Sequence, residues 1–211
     1  MKSSSSLLRR IIPNSVSWCI AGGAALGDDK HNDVDCYFQS EDDLQTVLDI
    51  LSTRLGMYST VTPNTYTYQH TDYYPIQLIR TIYGDPHAIL SSFDLSCCKK
   101  AILPDGSVYT HPDYSPEIAI PNVENIRTST ISRIGKYFYQ KEYPFNVSSL
   151  QALFTHLANH PDLIIPSGYN EQQDRPAGDI LLNIIPKYRC YDADLFPLVS
   201  HLETSHPEYF V

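Results

Sequence analysis

The stretch from Ser17 to Phe38 constrains this chain more than any other. Ser17-Trp18-Cys19-Ile20-Ala21 is a short apolar run closed by Gly22-Gly23, and nine residues later comes Asp33-Val34-Asp35-Cys36-Tyr37-Phe38. An apolar run ending in two glycines reads as a strand followed by a tight turn, with Ala24 to Leu26 able to begin a helix. Val34 to Phe38 reads as a second strand. Strand side chains repeat with period two, so Asp33 and Asp35 point to the same side. Two carboxylates so placed repel one another and raise one pKa unless a cation neutralises them. Magnesium takes octahedral oxygen ligands and commonly uses one or two carboxylates together with substrate phosphates. A Gly-Gly turn lets a backbone approach closely, and its amides at a helix start can hold phosphate. Taken singly, each piece is ordinary. An Asp-x-Asp is more often the solvent side of an edge strand, and a Gly-Gly is more often a plain turn.

The remaining pattern divides at about residue 120. Before it, helices are expected over Ser3 to Ile12, stopped by Pro13, and after Ser40, with Leu44, Val47, Leu48 and Leu51 on one face. Met57 to Val61 and Thr65 to His70 read as a hairpin turning at Pro63-Asn64, and Ile76 to Ile79 as a further strand. Asp85-Pro86 suits the start of a short helix. Phe93 to Leu103 reads as a strand, returned by Asp105-Gly106 into Ser107 to Thr110. Beyond Pro121, Val123 to Tyr139 carries helical periodicity, Ser148 is placed to cap a second helix through about Asn159, and short helical pieces fall near Ile180 to Ile185 and Asp192 to His201. The expectation is an α+β chain: a small mixed β-sheet core with flanking helices over 1–120 and a mostly helical C-terminal part over 121–211.

Composition narrows the function classes. A formal net charge of −9 argues against a broad basic groove for duplex DNA. A small anionic ligand is still compatible, because a few local cations beside a metal suffice. The five cysteines (Cys19, Cys36, Cys97, Cys98 and Cys190) form no CxxC pair. An odd count without a framework reads as reduced thiols in a cytosolic compartment, which is the host cytoplasm if the chain is viral. No signal-peptide pattern and no membrane-length apolar run appear, so no membrane partner is expected. The 16 tyrosines suit amphipathic packing more than stacking surfaces.

The order apolar strand, Gly-Gly, about ten residues, then apolar-flanked Asp33-Val34-Asp35 resembles the signature of the DNA polymerase beta-like nucleotidyltransferase superfamily. The resemblance covers about twenty residues. It implies two metal ions, Mg2+ with Mn2+ as a substitute, held by three carboxylates. It also implies attack on the α-phosphate of a nucleoside triphosphate with release of pyrophosphate. Gly22 and Gly23 would contact the triphosphate, and Asp33 and Asp35 would bind metal. Gly23 stands where many members carry Ser, a mild departure, since glycine occurs there in the tRNA-end-maturing branch. The third carboxylate belongs on a neighbouring strand; of Asp94 and Asp72, Asp94 is preferred, since Asp72 suits a hairpin. Ile76-Gln77-Leu78-Ile79 followed by Phe93-Asp94-Leu95-Ser96 is similar to phage and large-virus members.

Arg127, Arg133, Lys136 and Lys141 gather positive charge in one segment of an acidic chain. Arg133 and Lys136 are three apart and share a helical face. With Tyr137 they form Arg-Ile-Gly-Lys-Tyr, again similar to the viral members. They are expected to clamp the β- and γ-phosphates while Tyr137 packs near base or sugar. An isolated stretch of this kind is more often a solvated basic face. His156 and His160 have zinc-compatible spacing, but no HExxH and no third ligand accompany them. The sequence thus points to transfer of a nucleoside monophosphate to an unidentified acceptor, an RNA 3′ end, a nucleotide or a protein hydroxyl. The competing reading is a non-catalytic nucleotide- or protein-binding module on the same fold. A metal-dependent phosphohydrolase, releasing inorganic phosphate, is a third.

Overall fold

The computed structural model describes residues 4–27, 33–56 and 58–160. The expected helical pieces near 180–185 and 192–201, the acidic pair Asp28-Asp29 and Cys190 lie outside them. The chain divides into two compact units, one of Met1–Phe93 with Cys98–Tyr114 and one of Asp94–Cys97 with the residues from Ser115 onward.

The first unit holds a seven-stranded mixed sheet flanked by helices. Its elements in chain order are α1 (Ser4–Ile11), β1 (Trp18–Ala21), β2 (Val34–Phe38), α2 (Glu41–Leu55), β3 (Thr60–Val61), β4 (Thr65–His70), β5 (Tyr73–Tyr83), α3 (Pro86–Ser91), β6 (Lys100–Ile102) and β7 (Val108–Thr110). The strand order is β3-β4-β5-β2-β1-β6-β7. Only β2 and β5 run parallel, which α2 and the β3–β4 hairpin make possible by carrying the chain back between them. Alternation sorts the side chains by face. Val34, Cys36 and Phe38 of β2 join Leu7, Leu8, Leu44, Val47 and Leu51 in one buried cluster. Tyr37 faces the other way, with Cys19, Ala21, Ile79, Ile89, Leu90 and Ala101. Ser40 caps α2, accepting from the Asp43 amide at 3.2 Å, with Glu41, Asp42 and Asp43 favourably placed in the first turn. Asp85 caps α3 in the same way through the Ala88 amide at 2.8 Å, with Pro86 as its first residue.

The second unit is helical, with a short 3-10 turn at Val123–Asn125, α4 (Thr128–Gly135), a π-helical turn at Lys136–Gln140 and α5 (Val147–Asn159). A parallel bridge joins Ile118 to Phe145, and Ile118, Phe145, Leu153 and Leu157 are buried.

Several local expectations need correction. Phe93 to Leu103 is not one strand: Ser96–Cys98 is a 3-10 turn and only Lys100–Ile102 is extended. Ser96 explains the break. Its amide donates to the Ala119 carbonyl and its hydroxyl to the Glu117 carbonyl, so this backbone is tied outside the sheet. The helical run after Val123 splits into the three pieces above. Asn146, not Ser148, caps α5, its side chain accepting from the Ser149 amide. The helix expected to begin at Ala24 is a 3-10 turn over Gly22–Leu26.

Candidate nucleotide and metal site

β1 and β2 pair antiparallel with Ala21 opposite Asp35, which brings the Gly22 turn beside the start of β2. Gly22 has φ +76°, a left-handed conformation that glycine adopts without penalty. A Cβ added there would stand 3.3 Å from Asp35 Oδ2. The glycine therefore meets two demands at once, the turn and room for a carboxylate. Gly23 follows it in the 3-10 turn, half-buried. Asp33 and Asp35 are both half-buried, while Val34 between them is buried on the opposite face. The shared side expected from strand alternation is thus realised.

The neighbouring strands complete a row across the sheet. At the level of Asp35 stand Gln77 on β5, Ala21 on β1, and Ala101 on β6 beyond it. Gln77 Nε2 donates to Asp33 Oδ2 at 3.1 Å. Asp35 is the sole carboxylate of that row, with Asp33 two residues before it. The sequence carries one signal for Gln77, a lone amide between the apolar Ile76 and Leu78 of a strand.

Asp94 does not sit at the mouth of a strand. It belongs to the second unit, where it is 3% exposed, and its Oδ2 accepts from the Thr130 hydroxyl and from the Arg133 guanidinium. Asp94 and Arg133, to which the resemblance assigns separate roles, form an ion pair in which Arg133 is 46% exposed. Asp72 lies in the β4–β5 turn. Lys136 is exposed at the start of the π-helical turn. Tyr137 is 6% exposed, edge-on to Tyr143 at 5.6 Å between centroids, with Lys141 Nζ 5.1 Å above its ring. Among the described residues, no three His, Cys, Asp or Glu side chains stand close enough together to hold a metal ion. The donor set on the sheet is therefore two carboxylates and one amide. Paired aspartates fit a hard divalent cation that keeps water or phosphate for its remaining positions.

Other constellations reduce to packing. Burial pushes the Cys19 thiol up to about 12, and it holds Cys36 well above its ordinary value, so neither is a nucleophile at neutral pH. Ser91, His111 and Asp113 imitate a hydrolase triad, with Ser91 Oγ 3.0 Å from His111 Nε2. Yet His111 Nδ1 accepts from the Asp113 amide at 3.1 Å. The neutral ring then carries its proton on Nε2, toward Ser91, and cannot take the serine's proton. His156 and His160 place their ring centroids 4.4 Å apart, with no third ligand among the described residues. A cleft of about 260 Å3, walled by Ser17, Trp18, Gln39, Asp85, Ile89 and Leu103, lies at the opposite end of the β1–β2 pair from Asp35.

Residues 2–119 match the Gabija anti-defense 2 family, more than half of the chain. The chain belongs to the Gabija anti-defense 2 family. No curated protein matches it. Among solved structures it is similar to a tRNA-processing enzyme in an apo form, with a TM-score of 0.63, 16% identity, and 88% of this chain aligned to 58% of that one. A tRNA nucleotidyltransferase complexed with a primer tRNA and an incoming ATP analogue aligns at TM-score 0.60 and 15% identity, over 94% of this chain and 61% of that one. The Thermotoga maritima CCA-adding enzyme complexed with tRNA aligns at 0.58 and 13%, over 73% and 42%. The chain spans less than two thirds of each of these proteins, and at such identities the likeness establishes a nucleotidyltransferase-like fold. No described helix is long and apolar enough to cross a membrane.

Proposed function

We propose that this chain is a metal-dependent nucleotidyltransferase that transfers a nucleoside monophosphate from a nucleoside triphosphate to an acceptor hydroxyl. The observation that carries this reading is the Gly22 turn seated against Asp35, with Asp33 beside it on one sheet face. Asp33 and Asp35 would hold magnesium, and backbone amides of the Gly22-Gly23 turn would receive phosphate oxygens. When bound, the metal supplies charge neutralisation for the triphosphate and acidity for an acceptor hydroxyl. The protein's own work is positioning and fixed charge. Arg133 and Lys136 keep the phosphate-binding role that the superfamily resemblance implies, and Tyr137 its place toward base or sugar. Asp94 enters as the third carboxylate and would have to exchange the Thr130 and Arg133 bonds for metal. The tRNA named with two of the similar solved structures, and the incoming ATP analogue with one of them, support an RNA end among the acceptors. The family's name supports a component of the Gabija defence.

The test incubates the full chain with each labelled nucleoside triphosphate, Mg2+, a pool of RNA and the Gabija proteins. Label transfer with stoichiometric pyrophosphate supports the reading. Absence of both with all four nucleotides sinks it, and release of inorganic phosphate alone indicates a phosphohydrolase.

One observation favours a second reading. Asp94, the carboxylate the two-metal scheme requires, is already neutralised by Arg133 and hydrogen-bonded by Thr130. A module that binds a nucleotide or a protein on this fold without turnover would keep that arrangement. Calorimetry showing triphosphate binding with no pyrophosphate under any condition selects it.

A further inference from the structure

Gln77 stands in the row of the sheet that carries Asp35. It is level with Asp35 on the adjacent parallel strand, and its Nε2 reaches Asp33 Oδ2 at 3.1 Å. Burial of Ile76 and Leu78 on the opposite face fixes which side Gln77 presents. Ala21 and Ala101, both fully buried, flank Asp35 on its other side, and the next side chain of this row is Tyr109 on β7.

We infer that Gln77 is a positioning residue of the metal site: its amide holds one oxygen of Asp33 and orients the carboxylate for a cation shared with Asp35. This deepens the proposed function and rests on its assignment of Asp33 and Asp35 to metal. The physics favours an amide over a third acid. A carboxylate here would stand beside two others and add repulsion in the metal-free protein, whereas the amide is neutral and donates a hydrogen bond to Asp33. A donor on one oxygen also restricts carboxylate rotation and leaves the other oxygen available to the metal. Groups that orient a ligand in this way commonly contribute about tenfold or more to metal affinity. Backbone pairing of β5 with both β2 and β4 makes the strand that carries Gln77 rigid, so its reach to Asp33 is set by the sheet.

The experiment measures Mn2+ binding alone, by electron paramagnetic resonance of the free ion, on the full chain and on Gln77→Leu, Asp33→Asn, Asp35→Asn and the double variants. Thermal melting without metal confirms folding of each. Gln77→Leu is expected to weaken Mn2+ about tenfold. The same change made in Asp33→Asn should alter affinity less than about twofold, since the oriented oxygen pair is gone; in Asp35→Asn it should keep its full effect. A merely structural role would lower affinity by the same factor in both backgrounds, which overturns the inference, as does unchanged affinity in Gln77→Leu. If Asp33→Asn and Asp35→Asn themselves bind Mn2+ like the parent chain, the metal reading fails instead. Gln77→Asn, which keeps the donor on a shorter arm, should recover part of the loss.

Discussion

Replacing Gly22 by alanine separates backbone strain from crowding of the candidate metal site. Gly22 and Gly27 have nearly the same conformation, φ +76° and +74°. A left-handed alanine costs about 1–2 kcal/mol. Part of that is offset because alanine restricts the unfolded chain by about 0.4–1 kcal/mol. Each variant should therefore lose roughly 1 kcal/mol, a fall in melting temperature of about 2–4 °C for a chain of this size. The surroundings differ. Around Gly27 no atom of the described residues other than its chain neighbours lies within 4 Å of the added carbon, whereas at Gly22 the carbon meets Asp35 Oδ2 at 3.3 Å. That oxygen must retreat by a few tenths of an ångström, comparable with the tolerance of about 0.2 Å in metal–ligand distances. Gly22→Ala should thus weaken Mn2+ binding roughly tenfold, while Gly27→Ala leaves it unchanged. Circular dichroism melts give the strain and titration with Mn2+ gives the crowding. Equal loss of affinity in both variants, or none in Gly22→Ala, would refute the argument that Gly22 makes room for Asp35.

Asp33→Ala and Asp35→Ala should each abolish pyrophosphate release while the chain stays folded, checked by a coupled pyrophosphatase assay beside a melting curve. Arg133→Met leaves the buried Asp94 with Thr130 alone. Bonds to charged groups contribute about 1.5–3 kcal/mol, and the half-exposed guanidinium places the loss near the lower end; urea unfolding of Arg133→Met against Arg133→Met/Asp94→Asn should show the double variant regaining part of it. His111 is held below its ordinary value of 6.5, first by burial and then by Lys99, with Asp113 opposing and His87 adding to the depression. The unfolded chain then binds a proton more readily than the folded one, so this contribution is complete above about pH 6.5 and is lost as pH falls below it. His111→Gln should flatten the melting temperature between pH 7 and 5. Cys19 and Cys36 should resist a thiol reagent at pH 8 until the protein unfolds, since both are buried with raised pKa values.

The local grammar of the candidate site was legible because its periods are short. A strand's alternation placed Asp33 and Asp35 together, and their separation from the apolar Val34 needed no partner to predict it. The cap residues Ser40 and Asp85 were legible for the same reason, since a cap acts within three residues. The Phe93 to Leu103 stretch failed because apolar composition suits a strand, while the long-range bonds of Ser96 to Glu117 and Ala119 override it.

By itself, then, the sequence determined the α+β class, the two-carboxylate face and the glycine turn that fronts it, all consequences of interactions between near neighbours. Only the tertiary structure decided which residue stands beside Asp35 and what neutralises Asp94. Gln77 lies 42 positions from Asp35 along the chain, and the parallel register of β2 and β5 sets them side by side. Arg133 reaches Asp94 across 39 positions. A buried carboxylate must find a partner, but its own sequence neighbourhood does not name it. The packing of distant segments supplied that partner, the Arg133 guanidinium.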